Sequence, residues 1–173
     1  MQRRTVIASV GAILGTSVGT AAYTSATVTR DATFAVATDA SSALIGLNAG
    51  TTAGVTESGD ALSIAVQDLN TDGTFVYGDG ANIDTSHAFS IINNDGSERS
   101  FTLGYDTAGV TFELFQQGTD WTDATSLGTV DSTTDVTWTA AAAEEIRAVM
   151  TIDTTGVASG ATDLDGTLTV SAN

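Results

Sequence analysis

Hydrophobic and polar residues alternate along this chain with a period close to two, and almost nowhere with the period of a helix. The alternation is longest near the start. From Thr24 to Val36 the even positions carry Thr24, Ala26, Val28, Arg30, Ala32, Phe34 and Val36, whereas the odd ones are polar from Ser25 through Thr33. Such a period marks a strand with one buried face. About 13 residues at about 3.3 Å each reach roughly 43 Å, while a domain of this size is about 40 Å across and strands usually stop after about five or six residues. The first half of this strand is therefore expected to overhang its own domain and to need another sheet edge. The alternative is two ordinary strands broken at Arg30-Asp31.

Short alternating runs follow, separated by Gly, Asn and Asp. Strands are expected at Leu44 to Leu47, Leu62 to Val66, Thr74 to Tyr77, Phe89 to Ile92, Phe101 to Tyr105, Val110 to Leu114, Val136 with Trp138, Ile146 to Ile152, and Leu168 with Val170. Asn93-Asn94-Asp95-Gly96 lies between two of these runs. Its Asp-Gly pair tolerates positive φ, which predicts a hairpin there. Ala140 to Val149 is rich in helix formers, but Ile146, Ala148, Met150 and Ile152 share a strand face, so a strand is expected from about Glu145. About nine strands with regular turn signals predict an all-β fold, an antiparallel jelly-roll or immunoglobulin-like β-sandwich. Trp121 and Trp138 read as core or rim packing rather than ligand platforms.

The first residues do not fit that pattern. Arg3-Arg4 precede an apolar run from Val6 to Val18 that closes on Gly19-Thr20-Ala21-Ala22. A positive start, a short apolar middle and a small-residue end predict a secretory signal. The paired arginines also suit twin-arginine export. The run is too short and too interrupted for a membrane span. The expected organisation is a signal peptide over 1–21, the leading strand over 22–36 and a sandwich over 37–173, with no stable membrane span after processing.

Charge narrows the setting. Residues 22–173 hold three arginines against all 21 acidic residues, a formal charge of −18, and the chain has no lysine. It keeps enough Val, Ile, Leu and Phe to pack, which sets it apart from a disordered acidic tail. Self-repulsion of this size is severe at low salt and screened in concentrated salt, which predicts an exported protein of an extreme halophile. Nucleic acid is excluded as a partner by the lack of a basic patch. The chain has no cysteine and no proline, so no disulfide holds it and no proline blocks a sheet edge.

Chemistry is sparse. Asp68, Asn70 and Asp72, with Gly73 and then Asp79 at the twelfth position, match the spacing of a calcium loop. The competing reading of that stretch is an acidic hairpin turn at Asp72-Gly73. His87 is the only histidine, so multi-histidine metal sites are impossible, and no nucleophile-elbow context surrounds Ser86 or Ser90. Gly15-Thr16-Ser17-Val18-Gly19 spells G-x-S-x-G inside the export signal, a false match. No enzyme is expected.

Thr20-Ala21-Ala22-Tyr23-Thr24-Ser25, followed by Arg30-Asp31-Ala32-Thr33-Phe34-Ala35, resembles the signal end and mature start of TasA and camelysin, which are biofilm-matrix fibre proteins. Phe89 to Gly96 is similar to their later strand ending in an Asn-rich turn. In pattern the whole chain is similar to a haloarchaeal family of secreted domains of unknown function. The resemblance implies a jelly-roll subunit cut between Ala21 and Ala22. Its freed N-terminal strand would insert into the next copy, as in TasA fibres and archaeal bundling pili. The donor segment would be about Ala22 to Arg30, with Ala22, Tyr23, Ala26, Val28 and Arg30, and with Phe34 also filling a pocket. The metalloprotease label of the camelysin branch does not carry over to a chain with one histidine. The expected function is thus a structural subunit of an extracellular filament, pilus or biofilm matrix, whose partners are copies of itself. The alternative is a monomeric surface or binding module, with calcium as the one candidate cofactor.

Overall fold

The computed structural model describes residues 32–35, 44–58, 61–66, 69–70, 72–156 and 164–173. Among them the fold is all-β, built from β1 (Ala32–Ala35), β2 (Ile45–Ala49), β3 (Val55–Ser58), β4 (Ala61–Val66), β5 (Thr74–Tyr77), β6 (Phe89–Asn93), β7 (Arg99–Tyr105), β8 (Val110–Gln116), β9 (Thr125–Val130), β10 (Val136–Ala140), β11 (Glu145–Asp153) and β12 (Leu168–Ala172). Among the described residues helix is limited to two 3₁₀ turns, Gly80–Asn82 and Trp121–Asp123. Every ladder is antiparallel.

The longest strand, β11, organises the largest sheet, in the order β2-β6-β11-β8-β9. Along one side β11 pairs first with β6 and then with β5, and along the other with β8. Its alternation explains the choice of strand over helix. Ile146, Ala148, Met150 and Ile152 are buried, while Glu145, Arg147 and Thr151 point to the other face and stay partly exposed. A tight turn precedes β11, with Ala143 at φ 62 and the Ala141 amide donating to Glu144 at 2.6 Å. The alanine run ends in this turn instead of propagating as helix.

Two three-stranded sheets, β1-β4-β3 and β10-β7-β12, complete the described structure. Leu62 and Ile64 of β4, Phe101 and Leu103 of β7, and Trp138 of β10 join Phe89, Phe112, Leu114 and Met150 of the large sheet in one core. Phe101 stacks on Trp138 at 5.7 Å, and Phe89 and Tyr105 meet Phe112 edge-on. The arrangement is therefore sandwich-like, with a shared apolar interior between sheets. At one margin β9 lies beside β10, and at the other β2 lies beside β3 and β4.

The expected hairpin at Asn93 to Gly96 is not formed. β6 pairs with β2 and β11, whereas β7 pairs with β10 and β12, so residues 94–98 carry the chain from one sheet to another. The reason lies in Asn93, which is 1% exposed. Its amide nitrogen sits 2.9 Å from the carbonyls of Ser97 and Ala141 and 3.0 Å from that of Ala140, and its oxygen accepts from the Asp95 amide. The side chain thus ties the turn to the β10–β11 connection, and β7 is led away from β6. β3 and β9 were not expected from the sequence.

Candidate functional site

The leading strand enters the fold through β1, whose four residues pair with β4 in the register Ala32↔Val66, Thr33↔Ala65, Phe34↔Ile64 and Ala35↔Ser63. Phe34, named with the expected donor residues, thus pairs through its backbone with Ile64 of its own chain. Ala21 and Ala22 at the expected cleavage point, and Tyr23, Ala26, Val28 and Arg30 of the expected donor segment, lie outside the described residues.

Strand directions follow from the ladders. If β6 runs upward, its partners β2 and β11 run down, β8 runs up and β9 down. The crossing at 94–98 sends β7 down, so β10 and β12 run up. The crossing at 50–54 sends β3 up, β4 down and β1 up. β1 and β12 thus run the same way. Because β10 borders β9 and β3 with β4 borders β2, β12 and β1 are the inward edges of the two small sheets. Among the described residues no ladder joins them.

β12 itself is uncharged, Leu168-Thr169-Val170-Ser171-Ala172. Its root is fixed by Tyr105, whose hydroxyl donates to the Leu164 carbonyl at 2.9 Å, and burial holds the phenol well above its ordinary range. Leu168 is buried, yet Val170 and Ala172, which also pack on the core, stay only half-buried. Among the described residues the core is incompletely covered at Val170 and Ala172.

The expected calcium residues do not converge. Asp68 lies outside the described residues. Asn70 offers its backbone carbonyl to the Thr154 hydroxyl at 2.7 Å, and Asp72, at φ 55, accepts from the Gly156 amide at 3.2 Å. Asp79 instead caps the first 3₁₀ turn, accepting from the Ala81 amide and the Asn82 side chain, and these bonds hold its carboxyl below the usual range. Between Asp72 and Asp79 runs β5, about 13 Å of extended chain. Ligands of one calcium ion sit about 2.3–2.6 Å from it, so the two carboxylates cannot share an ion. The competing reading, an acidic hairpin turn at Asp72-Gly73, is not formed either, because β4 pairs with β1 and β3 whereas β5 pairs with β11.

A polar cluster sits on the outer face of the large sheet. Arg147 stacks on Trp121 at 3.9 Å and bonds Asp84 and Glu145, each at 3.1 Å. It pins both 3₁₀ turns over Ile83, Phe115 and Val149. Trp121 thus packs at a rim and Trp138 in the core. His87 lies beneath, 8% exposed, its Nδ1 buried without a partner. Burial first, and Arg147 second, push its pKa down. Arg99 is paired with Asp95, so both described arginines are engaged within the chain. The described residues contain no helix long and apolar enough to cross a membrane. Comparison with protein-family models, with curated proteins and with solved structures returns no match.

Proposed function

We propose that this chain is the exported subunit of an extracellular filament or matrix, joined head to tail by its own leading strand. The observation that carries this reading is the length of the leading alternation, which runs from Thr24 through β1 to Val36. At about 3.3 Å per residue it outreaches a domain about 40 Å across, and a second sheet edge would satisfy the N–H and C=O groups of the part that overhangs. Cleavage after Ala21 frees the segment Ala22 to Arg30. The subunit body is a jelly-roll sandwich, as the likeness to TasA and bundling pili implies. A contact between a tail and a different surface does not close on itself, so it propagates.

The test is deletion of residues 22–30 from the mature start. The shortened protein is expected to be monodisperse at one protomer mass in molar salt, while the intact chain forms high-mass species. Polymerisation of the shortened protein to the same extent contradicts the donor role.

A further inference from the structure

We infer that His87 is the latch of a pH-sensitive outer layer: when its imidazole takes up a proton, the two 3₁₀ turns lift off the large sheet and uncover Phe115 and Val149. The inference concerns a single copy and does not rest on the filament reading.

The layer consists of the turns Gly80–Asn82 and Trp121–Asp123. Neither turn is itself part of a ladder, so two other kinds of contact seat them. The first is apolar. Ile83 is buried with Phe115 and Val149, with Trp121 packed against the three, and a Cβ on Gly80 would lie only 2.7 Å from the Phe115 ring. The second kind comes from Arg147 of β11. Its Nη1 donates to the Ile83 and Asp84 carbonyls at 3.3 and 2.8 Å and to the Asp84 carboxylate at 3.1 Å, while its guanidinium stacks on Trp121. One cation thus fastens both turns.

His87 lies under this clamp. Its backbone bridges to Gly78, and the Asp79 amide donates to the Ser86 carbonyl, which sets the residue at the foot of the first turn. The side chain is buried, and Nδ1 has no partner among the described residues. A neutral imidazole can keep that nitrogen as a bare acceptor. An imidazolium cannot, because both nitrogens then carry protons, and a buried N–H without an acceptor is costly.

The charges around the ring add to this. Arg147 opposes a second cation, whereas Glu145, the Ile83 carbonyl and Asp84 favour one. Arg147 already pairs with both carboxylates. Asp79 is turned to Ala81 and Asn82, and Gly50, Thr51 and Thr52, which bond around the His87 backbone, are uncharged. Burial and Arg147 prevail, and the closed layer holds the ring neutral. A proton is accommodated when the ring reaches water, which displaces the 83–86 segment and releases Arg147 from it. Proton uptake therefore drives opening, and the ratio of open to closed rises by up to about tenfold per pH unit below about 6.5, the value of a solvated histidine.

Acrylamide quenching of tryptophan fluorescence in molar salt reads the layer, because Trp121 sits in it and Trp138 lies in the core. The signal lost in Trp121→Phe identifies the Trp121 component. The expected result for the natural chain is a reversible rise in quenching of that component between pH 7.5 and pH 5, with the far-ultraviolet circular dichroism unchanged, and no such rise in His87→Asn. Arg147→Gln, which removes the clamp, is expected to leave Trp121 open to the quencher already at pH 7.5. Quenching that never changes, an equal rise in His87→Asn, a rise confined to below about pH 4.5 where carboxylates titrate, or a rise that coincides with loss of the β-sheet signal overturns the latch. Where His87→Asn does not fold, the pH profile of the natural chain and the quenching of Arg147→Gln decide the matter without it.

Discussion

Asn93 directs the chain from one sheet to the next with four side-chain hydrogen bonds, and its chemistry makes the site easy to break. Asn93→Ala leaves buried backbone groups without partners, an expected loss of about 1–3 kcal/mol that is independent of pH. Asn93→Asp keeps the shape but turns a carboxylate toward three carbonyl oxygens, and the expected loss is about 3–5 kcal/mol at neutral pH. Protonation of that carboxyl restores a donor, so this variant recovers stability as pH falls. Thermal unfolding of both variants at pH 7 and pH 5 separates the two effects. His87 behaves in the opposite sense. Burial and Arg147, which outweigh nearby Glu145 and Asp84, lower its folded pKa. The unfolded chain therefore takes up the proton first, and stability present above about pH 6.5 declines as pH drops toward the folded value. His87→Asn is expected to flatten the pH dependence between 7 and 5, and an unchanged slope contradicts the assignment.

Among the elements, β5 and the segment before it decide what the acidic loop is. Thr154 is fully buried, accepts from the Gly73 amide at 2.9 Å, and its hydroxyl lies within hydrogen-bond reach of the Asn70 and Gly73 carbonyls. It fastens the turn to the end of β11. Thr154→Val, which removes these bonds, is expected to cost about 1–3 kcal/mol. Calorimetric titration with calcium in molar salt is expected to give the same heats for the natural chain and Asp79→Ala, because β5 holds Asp79 away from Asp72. The calcium spacing misled because side-chain oxygens recur at short intervals in so acidic a chain, while Thr74 to Tyr77, β-branched and aromatic, carried the better signal for a strand. Strands with two or more large inward residues, such as β7, β8 and β11, were legible in the alternation. β3 offers only Val55, and the Leu127 and Val130 of β9 lie three residues apart, out of step with a period of two. The Asn-Asp-Gly signal located a chain reversal correctly. It carried no information on whether the flanking strands pair, because that depends on Asn93 meeting Ala140 and Ala141, which lie 47 and 48 residues away.

For the whole molecule, charge sets the response to salt. A chain with −18 over residues 22–173 repels other copies across about 10 Å at 0.1 M salt but only about 3 Å at 1 M. Both the melting temperature and the extent of assembly are therefore expected to fall as salt is diluted, and a melting temperature indifferent to salt contradicts the electrostatic account. The leading strand that the proposal invokes was legible in the sequence as an alternation of period two, with Thr24 and Arg30 as exceptions. The facing of β12 and β1 was not, because it arises only from two crossings between sheets, at 50–54 and 94–98, that place distant segments side by side. Electron microscopy of the protein secreted in concentrated salt tests the central claim most directly. The account predicts unbranched filaments with an axial repeat near the breadth of one domain, about 40 Å. Separate particles of one protomer mass at the same concentration contradict it.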